Sequence, residues 1–239
     1  MYGLQEELLL TNIINTYNND LNIIKHSLTK KSLLKDVLYV NKNDISTSTE
    51  HFNKIIQFRK KYNPELIKKK NIKKLLDTKS WYYAGFTKNK YPVLFCKVSN
   101  IDINNYIDID DVIKLVVFIM EKSKKYEKLM VVYDFDECEL TIGPKILNTV
   151  IKLIKILTVQ YPNFLYKCYC INCSKLFYFS YKLISGVLDK ETLTKIKIME
   201  KKNNKLENTL NIWNHLKLDI ETTSIEQYYG GCHEKYKYL

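Results

Sequence analysis

Proline and glycine are scarce in this 239-residue chain, at four and six residues respectively. A strand-rich sandwich needs many tight turns, so this scarcity argues against one. No stretch reaches the ~18 uninterrupted apolar residues of a membrane span. The longest apolar runs are cut by Lys or Asp. The start, Met1-Tyr2-Gly3-Leu4-Gln5-Glu6-Glu7, is acidic where a secretory signal is basic. The end, Tyr236-Lys237-Tyr238-Leu239, holds no prenylation box. No Gly-x-Gly-x-x-Gly follows a strand and no phosphate loop is present, which disfavours nucleotide binding of those kinds. The expectation is a soluble intracellular protein.

What is abundant is Lys. Lys and Arg number 38 against 26 acids, a net charge of +12 with pI ≈ 9.2. A basic surface of that size favours anionic partners: nucleic acid, anionic membrane or phosphorylated ligands. The basic residues are spread along the chain without a recognised reader motif, which speaks against nucleic acid. Hydrophobic residues make up 46% and charged residues 27%, ordinary for a globular chain.

The six cysteines are Cys96, Cys138, Cys168, Cys170, Cys173 and Cys232. Cys168-x-Cys170-x-x-Cys173 lacks the paired C-x₂₋₄-C spacing of a structural zinc site. Leu165 to Ile171 alternates like a strand, so buried free thiols are expected and no metal. Asp134, Asp136, Glu137 and Glu139 form an acidic cluster. No His adjoins it, and His26, His51, His215 and His233 are scattered. No catalytic residue is assigned, and the chain is read as a non-enzyme.

Residues 1–78 read as successive helices forming an N-terminal subdomain, with apolar residues at helical spacing. Lys68-Lys69-Lys70 and Lys73-Lys74 in it read as a solvated face. The period changes at Trp81, and 79–239 form the second unit. Trp81–Phe86 and Tyr91–Cys96 predict a hairpin. Leu129–Tyr133 is a nearly continuous apolar strand, as strands buried on both faces are, and Leu165–Ile171 reads as a second strand of the buried type. Helices follow at Val112–Met120, after Gly143-Pro144, at Phe177–Ile184 and at Leu206–Leu216, with a short strand at Lys195–Ile198. The order β-β-α-β-α-β-α-β-α predicts an α/β layer with a mixed, largely parallel sheet.

Several of these segments together resemble the Sec14-like (CRAL-TRIO) lipid-binding domain. They are Tyr161-Pro162, the strand Lys167–Asn172, an aromatic helix, Leu188-Asp189-Lys190-Glu191-Thr192-Leu193-Thr194-Lys195-Ile196, and the closing Tyr228-Tyr229-Gly230-Gly231. Lys88-Asn89-Lys90-Tyr91-Pro92-Val93 resembles that family's hairpin, and residues 33–62 a diverged helical subdomain. The chain departs from the pattern at Asn163, where phosphoinositide-transfer members carry Glu, and at Asn41, where a basic residue is common.

The resemblance implies a helix-walled cup with a sheet floor and one mobile helix as lid. It implies no cofactor beyond a bound phospholipid, phosphatidylinositol in the first instance, moved between membranes or presented to a lipid kinase. Thr192 and Lys195 then contact the headgroup phosphate, with Lys42 as a third candidate. Phe177, Tyr178, Phe179, Tyr181, Leu183 and Ile184 supply the lid, and Leu129 and Val131 line the cavity. Gly230 and Gly231 let the chain turn under the lid. Transient contact with an anionic membrane surface is implied, cytoplasmic and peripheral on intracellular membranes, and the absence of a long heptad repeat reads as a monomer. The competing reading is an interaction scaffold, or a binder of another apolar ligand, whose headgroup site is lost.

Overall fold

The computed structural model describes residues 2–28, 32–101, 108–138 and 144–234. Four helices come first: α1 (Tyr2–Thr16), α2 (Leu21–Ser27), α3 (Leu33–Val40) and α4 (Ile45–Tyr62). They enclose a core of their own, in which Leu9, Ile13, Val37, Leu38, Phe52 and Ile56 are fully buried. Asp44 starts α4 by accepting the Thr47 N–H at 2.7 Å. Asn63 stops it in a left-handed conformation ahead of Pro64.

Two 3₁₀ turns and α5 (Lys73–Asp77) lead to β1 (Trp81–Phe86). Ile67, Ile72, Leu75 and Leu76 of this connector pack into the sheet's core, not into that of the four helices. The packing division therefore falls near Asn63. The helical stretch 1–78 thus ends in a connector that is helical yet packs on the sheet.

The sheet runs β1-β2-β3-β4-β5 in chain order. Its remaining strands are β2 (Pro92–Lys97), β3 (Leu129–Asp134), β4 (Leu165–Cys173) and β5 (Ile196–Glu200). Only the β1–β2 hairpin pair is antiparallel. Helices α6 (Ile109–Ser123), α7 (Pro144–Gln160), α8 (Lys175–Ser185) and α9 (Lys190–Thr194) join the parallel strands, and α10 (Lys205–Asp219) follows. Asp108 caps α6, with Asp110 and Asp111 in its positive first turn. The predicted order of strands and helices is the observed one, with the short α9 added between α8 and β5.

Strand alternation gives the sheet two distinct faces. On one, Tyr82, Phe95, Val132, Tyr169 and Ile171 pack on Ile212 and Leu216 of α10 and on Tyr229. On the other, two cross-strand rows run Leu94–Val131–Cys168–Ile196 and Cys96–Tyr133–Cys170–Ile198. Helix α6 covers the β2–β3 end of this second face through Leu115, Phe118 and Ile119. The β4–β5 end meets Phe177 of α8.

Candidate functional site

Small side chains make the β4 end of the second face low. Cys168, Cys170 and Cys173 are 8%, 7% and 0% exposed, and Tyr133, Phe135, Ile196, Ile198 and Phe177 pack around them. Every ionisable group with a shifted pKa here is held neutral. Burial pushes the Tyr133 phenol well up. A hydrogen bond with Cys168 and then burial raise the Cys170 thiol, and burial takes the Cys173 thiol up to about 12. The floor is thus apolar and uncharged. Cys96 is equally buried, Cys138 is half-buried and Cys232 is exposed.

Helix α8 lies over this floor. Ser174 caps it, accepting the Phe177 N–H at 3.3 Å. Its inner side carries Phe177, Tyr181 and Ile184. Phe177 meets Phe135 at a ring-centroid distance of 4.5 Å, and Ile184 is buried. Its outer side is apolar too: Leu176, Phe179 and Leu183 are 66%, 72% and 62% exposed. Tyr178 also faces outward. The expected lid residues therefore divide between two faces. Leu129 and Val131 are buried on the same sheet face, but under α6 and Phe164.

A polar corner lies at the start of β5, where the four-helix unit meets the sheet unit. Lys195 places Nζ 2.7 Å from a Glu191 carboxylate oxygen, one helical turn back, and donates to Asn163 Oδ1 at 3.4 Å. Asn163 Nδ2 donates to Asp36 Oδ1 of α3 at 3.0 Å. Ser32 donates to the other Asp36 oxygen at 2.8 Å. Tyr39 of α3 hydrogen-bonds Glu191, and Lys128 donates to the Asn163 carbonyl. The bond from Lys195 leads in holding the Glu191 carboxyl below its ordinary value. Asn163 has φ 51°, a left-handed conformation that Asn tolerates better than Glu.

Thr192 lies in this corner with its hydroxyl engaged. It donates to Asp189 Oδ2 at 2.6 Å, while its N–H bonds Oδ1 at 2.8 Å. Burial raises the Asp189 carboxyl, but these bonds outweigh it and leave it below its ordinary value. Lys42 is exposed, in a left-handed turn after α3. Asn41 binds elsewhere: Nδ2 lies 3.0 Å from His51 Nδ1, whose Nε2 reaches the Val159 carbonyl at 2.8 Å.

Gly230 and Gly231 sit on the α10 face of the sheet, opposite α8. Gly230 has φ 88°, and a Cβ on Gly231 would lie 2.0 Å from the Ile225 carbonyl oxygen. Backbone geometry requires both glycines, and they lie away from α8. The preceding Tyr229 donates to buried Asp134 Oδ2 at 2.7 Å, and Asn172 donates to Oδ1 at 2.7 Å. Asp136 pairs with Lys201 at 2.6 Å. These acids anchor the fold. Glu139 lies outside the described residues. Among the described residues no His, Cys, Asp or Glu cluster has metal-binding geometry, and no helix is long and apolar enough to cross a membrane.

The thiol floor was missed as a site on sequence. Its signal was the alternation that puts Cys168 and Cys170 on one side of β4. The Glu191–Lys195 pair had a signal as well, the i,i+4 spacing of opposite charges on a helix.

The family model of the CRAL/TRIO domain matches residues 76–231, well over half of the chain. Among solved structures, the chain is similar to the crystal structure of Sfh5, with a TM-score of 0.60 and 17% identity. That alignment covers 73% of this chain and 65% of the other, so this chain spans just under two thirds of that length. At this identity the likeness shows a shared fold. A search of curated proteins found no match.

Proposed function

The chain belongs to the CRAL/TRIO domain family, and we propose that it holds one lipid on the thiol-lined floor beneath α8 and transfers it between membranes or presents it to a lipid-modifying enzyme. The observation that supports this most strongly is α8 itself. A helix with Phe177 and Ile184 turned inward and Phe179 and Leu183 left in water is poorly satisfied on its outer side. An apolar interface would cover that outer stripe, and swinging α8 outward would open the floor. Each CH₂ of an acyl chain buried there gains roughly 0.8 kcal/mol. Carriage of this kind breaks no bond.

The finer reading is a phospholipid, phosphatidylinositol first, with its phosphate at Lys195 and Thr192. In that bound state the phosphate takes the place of the Glu191 carboxylate on Lys195, and Lys42 closes over from the α3–α4 turn. The internal pairing of Lys195 with Glu191 and Asn163 favours a second reading, an apolar ligand without a phosphate.

A transfer assay tests the function. Donor vesicles carrying a fluorescent phosphatidylinositol or phosphatidylcholine are mixed with unlabelled acceptors. Transfer of either lipid above the spontaneous rate supports carriage, and Phe179→Asp should slow it. A rate equal to the spontaneous one for both lipids contradicts it.

A further inference from the structure

Residues 60–79 hold eight lysines and two acids, a net +6 that is half of the chain's +12. Both acids are already engaged. Glu65 lies 3.6 Å from Arg59, and Asp77 lies 2.5 Å from Lys73. Lys68, Lys69, Lys70, Lys74 and Lys79 are all exposed and make no ion pair among the described residues. A solvated face usually interleaves both signs of charge, whereas here basic residues outnumber acids eight to two and both acids are already paired.

The stretch is not a floppy tail. Pro64 and Ile72 are buried, and Ile67, Leu75 and Leu76 pack with Leu115 and Phe118 of α6 and with Trp81 of β1. The apolar side chains hold the connector's backbone against the β1–β2 end of the domain, so the lysines stand outward from a fixed base. Leu66 stands among them, 65% exposed.

We infer that this connector ridge docks the protein on an anionic lipid leaflet, with the lysines over the headgroups and Leu66 entering the interfacial layer. Charge complementarity supplies the attraction, and each lysine near such a surface adds a comparable increment. The lone exposed leucine suits an interface that is anionic outside and apolar beneath. Nucleic acid fits less well, because residues 60–79 offer no exposed aromatic ring on which bases could stack. The surface is separate from α8, which lies over the β4–β5 end. The inference rests on the lipid-carrier reading only in that a carrier must meet a membrane; docking itself needs no bound ligand.

The test is co-sedimentation of the full chain with phosphatidylcholine vesicles, with and without phosphatidylserine, at low and high salt. The parent should bind only the phosphatidylserine vesicles and release them at high salt. Lys68→Glu/Lys69→Glu/Lys70→Glu should weaken that binding roughly tenfold or more. A charge-matched control, Lys88→Glu/Lys202→Glu/Lys205→Glu, should keep most of it. All six positions are exposed, so folding is expected to survive, as circular dichroism would verify. The inference is overturned if the connector variant binds like the parent or if the control loses as much. It is also overturned if the parent ignores phosphatidylserine or prefers single-stranded RNA at equal salt. Uptake of detergent-dispersed lipid is measured on the same samples by native mass spectrometry. A parent that docks yet takes up no lipid contradicts the carrier reading and leaves the docking surface standing. A connector variant that takes up lipid but stays off vesicles supports both.

Discussion

Lys195 meets Glu191 at 2.7 Å, so the cation that would receive a lipid phosphate already has an anionic partner one turn away. The pair is partly exposed, with Glu191 about half in solvent, so its own contribution to stability is small. Its importance is competition. On the phosphatidylinositol reading, Glu191→Gln frees Lys195 and raises the fraction of protein carrying that lipid several-fold in native mass spectra. Lys195→Ala lowers it. If the ligand has no phosphate, both variants leave its occupancy unchanged.

His51 gives the contact between the four-helix unit and α7 a pH dependence. Its Nδ1 accepts from Asn41 and its Nε2 donates to the Val159 carbonyl, which requires the neutral ring. Burial leads in lowering its pKa below the ordinary 6.5. The folded state thus prefers the unprotonated form, and between the folded pKa and 6.5 the unfolded chain binds more protons. The resulting stability is fully present above about pH 6.5 and is lost as pH falls through the folded value. Melting temperature measured across this window should fall on acidification. His51→Gln should flatten that part of the profile.

The closing Tyr-Gly-Gly is a structural lock. Tyr229→Phe leaves an oxygen of buried Asp134 without its donor, at a cost of about 1–3 kcal/mol. Gly231→Ala drives a methyl into the Ile225 carbonyl and should lie at the upper end of the ~1–3 kcal/mol range for overpacking. Each kcal/mol corresponds to roughly 2–4 °C in a chain of this size. Thermal melts should rank the parent above Tyr229→Phe and Gly231→Ala. A Gly231→Ala protein as stable as the parent would contradict the backbone packing described.

The thiols under α8 report whether it moves. In a Cys232→Ser background, which removes the exposed thiol, Cys168 and Cys170 should alkylate slowly in buffer. Anionic vesicles should accelerate their modification, mapped by peptide mass, if α8 lifts at the membrane. Cys96 serves as an internal control, since it is fully buried at the β2 end. Equal rates with and without vesicles would mean that α8 is a fixed wall.

Much of the architecture was legible because its physics is local. The change from helical to strand period at Trp81, the continuous apolar strand Leu129–Tyr133 and the Tyr161-Pro162 stop each depend on neighbours in sequence. The site was less legible because it depends on register and on which side of a helix is covered. Phe177, Phe179, Leu183 and Ile184 are equally apolar, and spacing alone does not say that two face the floor and two face water. Thr192 and Lys195 were identified as a pair, but their partners come from local capping at Asp189, from Glu191 and from Asn163. The link from Asn163 to Asp36 joins residues far apart in sequence. The connector's lysines were visible from the start. Their significance emerged only once Ile67 and Ile72 were seen to hold that stretch against the sheet.

Native mass spectrometry after incubation with mixed phospholipid vesicles tests the central claim most directly. The account predicts one added mass per chain, matching a single lipid class, and its loss when bulky substitutions such as Cys168→Phe/Cys170→Phe fill the floor beneath α8. A protein that emerges from every lipid mixture without an added mass would contradict lipid carriage and would favour a scaffold built on the same fold.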